Sequence, residues 1–306
     1  MNCPKCDEIS ESRGQRDFKQ RYQCKNNKCH VDHNWKGWFS VDMRYATEYD
    51  VEDISFLTID IETAPMLVWN WGLSTPSRRL SINNIYQEWF VISWAAKWLD
   101  KDEILSGVVT PEEAKNQDDK RIIEEIWNLL EKPSAVISHN GGRFDLPKLR
   151  DRYLLHGLGP NLPFKLIDTY KIARRLGSTS HKLDYIAQRH LRNAKIETDF
   201  QLWKDCVMGD PKALQDMLKY KKHDVVVGED VYKLLRSWEY GPLNHGLFNR
   251  ASVPVCRACG GTIEAKNKSK ATPMNLYSVY RCIDCGYCGT MKNTKLTVNE
   301  RRNLTK

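Results

Sequence analysis

"LTIDIETAP" (residues 57–65) decides how this chain is read. An apolar run carrying Leu57 and Ile59 reads as a strand, and it ends in two acids one residue apart, Asp60 and Glu62. Side chains alternate along a strand, so both carboxylates stand on one face. Like charges this close repel and raise each other's pKa unless a positive group lies between them. The fold must therefore deliver positive charge to the end of this strand.

Around it the chain alternates apolar segments of two kinds. Residues 54–61, 89–99, 103–109, 134–140 and 164–169 read as strands. Residues 111–132, 144–157, 183–191 and 211–238 read as helices, the last with Pro211 in its first turn. Three strands followed by alternating helix and strand predict an α/β fold, a mixed sheet with helices on both faces. Segment 65–88 fits neither element. Its Trp69 and Trp71 are expected to plug a loop onto the core, with stacking on unpaired bases as the other use of such rings.

The composition is that of a soluble globular protein, 41% hydrophobic and 28% charged. No window approaches 18 consecutive apolar residues, and the first ten residues lack the basic start and apolar core of a signal peptide. A reducing, cytoplasmic setting is expected, with no membrane partner. The net charge of +8 is uneven: residues 241–306 hold eleven Lys/Arg against three Asp/Glu, while 49–240 hold 27 against 29. A basic tail on a slightly acidic body points to a polyanionic partner.

Nine of the ten cysteines lie in the two ends, and Cys206 alone falls in the middle, as a thiol without a role. Cys3, Cys6, Cys24 and Cys29 form one group; Cys256, Cys259, Cys282 and Cys285 form another, with Cys288 as an extra thiol. Paired short knuckles at this separation are the spacing of a four-thiolate zinc site, so two structural Zn²⁺ are expected. His30 or His33 can stand in for Cys29, and Cys288 for Cys285. The domains predicted are a ribbon over 1–48, a body over 49–240 and a second ribbon with its basic tail over 241–306. Arg21, Lys25, Lys28, Lys266, Lys268 and Lys270 would contact nucleic acid.

Two further motifs complete the body. "HNGGRFD" (139–145) offers Asn140, Phe144 and Asp145 after a strand, and "YKKHD" (220–224) sets Tyr220 and Asp224 four apart on a helix. Four acids from three elements are costly together unless cations compensate them. Hard oxygen ligands favour Mg²⁺ or Mn²⁺, and two such ions roughly 4 Å apart stabilise attacking and leaving oxygens in phosphoryl displacement. Lys221, Lys222 and His223 are expected to face solvent or substrate, and Asp168 and Asp184 to serve as structural or capping groups.

These motifs resemble the DEDD superfamily of 3′–5′ exonucleases, whose fold is RNase H-like. D-x-E matches Asp60 and Glu62, N-x3-F-D matches Asn140, Phe144 and Asp145, and the tyrosine form of the third motif, Y-x3-D, matches Tyr220 and Asp224. Lys219 stands where the histidine form needs His, so the DEDDy subclass is indicated. "HKLDYIAQRHL" (181–191) is similar to the exonuclease domains of family B polymerases and their standalone phage relatives. The resemblance implies that Asp60, Glu62 and Asp224 hold one Mg²⁺ or Mn²⁺, that Asp60 bridges to a second, and that Asp145 acts on the second through water. It implies that Tyr220 orients the attacking water, with Asn140 and Phe144 on the substrate. The expected activity is release of nucleoside 5′-monophosphates from single-stranded DNA, in the host cytoplasm if viral, with a separate polymerase as the protein partner such an activity would serve. RNA as substrate, or a non-catalytic nucleic-acid-binding protein, are the alternatives.

Overall fold

The computed structural model describes residues 3–6, 8, 11–16, 19–32, 36, 38–42, 54–72, 80–192, 196, 198–248 and 253–305. His33, the side chain of Arg21 and the boundary expected near residue 48 lie outside the described residues. Residues 1–52 and 53–306 are two compact units.

In the first unit, β1 (Glu11–Arg16), β2 (Lys19–Gln23) and β3 (Trp38–Asp42) pair antiparallel in that order, with α1 (Asn27–Asp32) between β2 and β3. Tyr22 and Phe39 are register partners and their rings stack at 5.4 Å. Cys3, Cys24 and Cys29 are the buried residues of this unit's small core, with Phe39 against them.

The second unit is built on a five-stranded mixed sheet in the order β10-β9-β4-β7-β8. Its strands are β4 (Phe56–Thr63), β7 (Val91–Trp98), β8 (Ile104–Val108), β9 (Ala135–Ser138) and β10 (Lys165–Asp168). The opening stretch supplies the middle strand: β4 runs antiparallel to β7 and parallel to β9. Leu57, Ile59 and Ile61 are buried in one apolar cluster with Ile122, Ile126, Leu149 and Met217. A second cluster gathers Phe56, Ile137, Ile167, Val231 and Tyr232. Each such side chain, fully buried, contributes roughly 1.5–3 kcal/mol, which is why Phe56, Leu57 and Ile59 fill most of β4 ahead of its acids.

The long helix α8 (Pro211–Leu235) crosses β4, β7 and β8. Its start follows from sequence: Asp210 accepts from Ala213 N at 2.7 Å, and Pro211 occupies the first turn, where no amide is needed. Gly228 lets the helix lie close to the sheet, since a Cβ there would already touch Thr58 at 3.4 Å.

The helix expected over 111–132 is two helices, α2 (Pro111–Asn116) and α3 (Lys120–Leu130). Gln117 turns left-handed between them, and Asp119 is buried to accept bonds from Val91 N, Arg152 and His156. A tertiary partner outweighs local helical continuity there. Between β4 and β7 a short ribbon forms from β5 (Leu67–Val68) and β6 (Ile85–Gln87). Trp69 and Trp71 do not plug this segment onto the core: both are exposed, and Trp69 meets only the edge of Tyr86 among the ring contacts of the described residues.

Helices α4 (Asp145–Leu155), α5 (Thr169–Ala173), α6 (Leu183–Ile186) and α7 (Phe200–Val207) complete the body, α6 running on as a π-helical turn over 187–191. Beyond α8, β11 (Ile263–Thr272), β12 (Asn275–Cys282) and β13 (Cys288–Thr294) form an antiparallel ribbon, followed by α9 (Val298–Arg302). His245 of the connecting segment stacks on Phe56 at 5.1 Å, and its amide donates to the carbonyl of Arg257.

Candidate active site

The register of β4 against β7 sets Asp60 opposite Ala95 and Glu62 opposite Ser93, on neighbouring same-face positions. Facing them, α8 presents Tyr220, Lys221 and Asp224. The Lys221 ammonium joins the two elements. It pairs with Asp60, and lies 3.0 Å from both Glu62 Oε1 and Asp224 Oδ2.

Asp145 arrives by another route. After β9 the chain turns sharply through Asn140, which is left-handed at φ 69°, and Gly141, where any Cβ would collide with Ser138. This turn delivers Asp145 to the start of α4. One of its oxygens accepts from Ile61 N at 3.2 Å and the other from Ser138 Oγ at 3.1 Å. Ile61 is the residue between Asp60 and Glu62, so the first and second acid motifs are tied through a backbone amide.

Burial drives the electrostatics. Burial and the Asp60 charge push the Asp145 carboxyl up to about 7, and burial raises Glu62 as well. Burial by itself would depress the Lys221 ammonium, but Asp60, Glu62 and Asp224 outweigh it and hold the group well above its ordinary range. A full set of ionised acids here needs cation. Three hard carboxylates on one ammonium, with Asp145 tied to the amide between two of them, are a donor set that suits Mg²⁺ or Mn²⁺.

Among the other expected site residues, Tyr220 is buried with its ring edge-on to Trp203 at 6.2 Å. Phe144 is half-buried against the main apolar cluster. Asn140 acts through its backbone, its amide donating to Asp168 Oδ1 and its carbonyl accepting from Arg143 and Phe144. Asp168 also caps α5 by accepting from Tyr170 N, and Asp184 accepts from Gln188, structural work in both cases. Lys222 and His223 are partly buried.

Lys221 corrects the expectation of a solvent-facing side chain: it is 1% exposed and central to the acids. A signal for this was present in the sequence. Met217, Lys221, Asp224 and Gly228 follow one another at four, three and four residues, a single stripe on the helix. A lysine inside an otherwise buried stripe needs a buried acidic partner.

At the two ends, each cysteine quartet has its four sulfurs within 4.8 Å of one another. Sulfur separations are 3.9 Å for Cys3–Cys29 and 3.8 Å for Cys6–Cys24, and 3.8 Å for Cys256–Cys285 and 3.6 Å for Cys259–Cys282. A tetrahedron with sulfurs about 2.3 Å from its centre has edges of about 3.8 Å, so both quartets fit zinc. Cys285 is the fourth member, while Cys288 is exposed and takes a bond from Arg281. Cys29 is the fourth at the other end; His30 instead contacts the carbonyl of Cys24 at 2.9 Å. Cys206 is fully buried, and burial pushes its thiol up to about 12.

A family model of the RNase H superfamily matches residues 87–236. The match takes in Asp145, Tyr220 and Asp224 and begins after Asp60 and Glu62. No curated protein matches the chain. The body is thus an RNase H-like domain, which supports a nuclease-type hydrolase acting on nucleic acid, and nucleases of this fold use divalent metal ions. Among the described residues, no helix is long and apolar enough to cross a membrane.

Proposed function

We propose that the chain is a metal-dependent 3′–5′ exonuclease of the DEDDy type that shortens single-stranded DNA and releases nucleoside 5′-monophosphates. One observation carries this reading. Asp60 and Glu62 from β4 and Asp224 from α8 share a single ammonium, while Asp145 is bonded to the amide between the first two acids. Acids more than 160 residues apart along the chain have been brought to one charge centre, which a merely structural strand end does not require.

In this reading the four carboxylates would hold divalent cation, which when bound stabilises the developing charge on the phosphate and lowers the pKa of the attacking water. Two positive centres are called for. Ser138 and the Ile61 amide hold Asp145 in place. Tyr220, one residue before Lys221 and four before Asp224 on α8, would position the water, and Asn140 and Phe144 would border the 3′-terminal nucleotide. The ribbons over 1–48 and 241–306, loaded with zinc, would add contacts to the substrate backbone through Lys25, Lys28, Lys266, Lys268 and Lys270. A DNA polymerase acting in trans is the partner such an activity would serve.

The test uses 5′-end-labelled single-stranded oligonucleotides of matched DNA and RNA sequence, with Mg²⁺ or Mn²⁺. A ladder shortening from the 3′ end, faster on DNA and absent for Asp60→Ala, is expected. Equal rates for Asp60→Ala and the unaltered chain would reject the assignment, and preference for RNA would reassign the substrate.

A further inference from the structure

We propose that Lys221 permanently supplies one of the two positive centres, so that the acid cluster takes one divalent ion rather than the expected two. The proposal rests on the nuclease reading for the identity of the site. Its own support is the placement of one side chain.

The ammonium touches Asp60, Glu62 and Asp224, the same three acids that the exonuclease resemblance implies for the first metal. Its 3.0 Å distances to Glu62 and Asp224 are those of N–H···O contacts. A magnesium ion holding the same oxygens at about 2.0–2.1 Å would have to compete with the ammonium for them.

The lysine is also held where it is. It projects from the middle of a 25-residue helix, between Tyr220 and Asp224, and its nitrogen lies 4.8 Å from the Tyr220 ring centre. To leave, it would give up three charge-assisted contacts at once. Charge balance agrees. Four ionised acids with this ammonium and one divalent ion leave a single negative charge. A second ion would make the cluster positive and set a dication against the ammonium at close range.

Asp60 remains for the divalent ion, as the most open of the acids paired with Lys221, with Asp145 beside it. Its side chain is 26% exposed, against 3% for Asp224. Lys221 thereby becomes a positioning residue: it holds Asp60, Glu62 and Asp224 together without itself reacting.

The test counts Mn²⁺ bound to the full chain by electron paramagnetic resonance and calorimetry, taking only the sites lost in Asp60→Asn. One equivalent in the unaltered chain and two in Lys221→Met are expected. Two equivalents in the unaltered chain would overturn the proposal while leaving the nuclease reading intact. So would a single equivalent in a folded Lys221→Met. No Asp60-dependent Mn²⁺ in either protein would reject the metal-dependent nuclease reading together with it. If Lys221→Met does not fold, the count in the unaltered chain still decides between one ion and two.

Discussion

The ammonium of Lys221 stands 3.0 Å from a carboxylate oxygen of Asp224, three residues further along the same helix, and reaches from there to both acids of β4. A pair spaced like this on a helix surface is worth a few tenths of a kcal/mol. Enclosed, it is the link that keeps α8 and β4 compatible. Lys221→Met leaves three carboxylates without their cation, and loss of one partner from a buried ion pair costs about 3–5 kcal/mol. Urea unfolding followed by circular dichroism, without divalent ion, is expected to register that loss, and added Mn²⁺ to restore part of it. A change under about 1 kcal/mol, the range of exposed pairs, would show that the ammonium does not carry this role.

Asp145 gives stability a pH dependence of unusual sign. Its carboxyl sits at about 7 in the folded chain against an ordinary 3.8. Between those values the folded state holds a proton that the unfolded state has released. Stability therefore falls as pH rises through this window, and the penalty is complete above about 7. In protein free of added divalent ion, Asp145→Asn removes this slope, so the variant gains on the unaltered chain from pH 4 to 7. Parallel urea midpoints for the two proteins across that range would contradict the prediction.

Asp119 is another buried acid, outside the acid motifs. It accepts from Val91 N at 2.8 Å, Arg152 at 2.5 Å and His156 at 2.7 Å. Asp119→Ala strands the buried Arg152 guanidinium and an amide of the sheet. A loss of about 3–5 kcal/mol is expected, seen as a fall in Tm of about 10 °C by differential scanning calorimetry for a chain of this size. Asp119→Asn, which keeps acceptors for two of the three bonds, is expected to lose less.

The cysteine quartets predict zinc content residue by residue. Elemental analysis of protein purified under reducing conditions is expected to give about two equivalents per chain, from two four-thiolate sites. Cys288→Ser leaves that value unchanged, because Cys288 lies outside its quartet. Cys285→Ser lowers it by about one equivalent. The reverse outcome, zinc lost with Cys288, would reassign the fourth ligand.

Much of this organisation was legible because it repeats at short range. The alternation in 57–65 places two acids on one strand face whatever surrounds them. The two- and four-residue spacings of the cysteine knuckles bring sulfurs together at short range. Long-range partners were not legible in the same way. The break in the helix after Asn116 answers to Val91, Arg152 and His156, residues that no local window contains. The exposed Trp69 and Trp71 follow from a two-stranded ribbon whose pairing is equally non-local.

The sequence by itself determined which groups are the candidates for chemistry: the acids, their order along the chain and the strand and helix that present them, since these follow from backbone periods of two and 3.6 residues. Only the tertiary structure decided what neutralises those acids. Whether a lysine on a buried helical stripe reaches solvent or a carboxylate depends on which strand packs against it, and packing β4 beneath α8 turned Lys221 into the cation that the first motif requires.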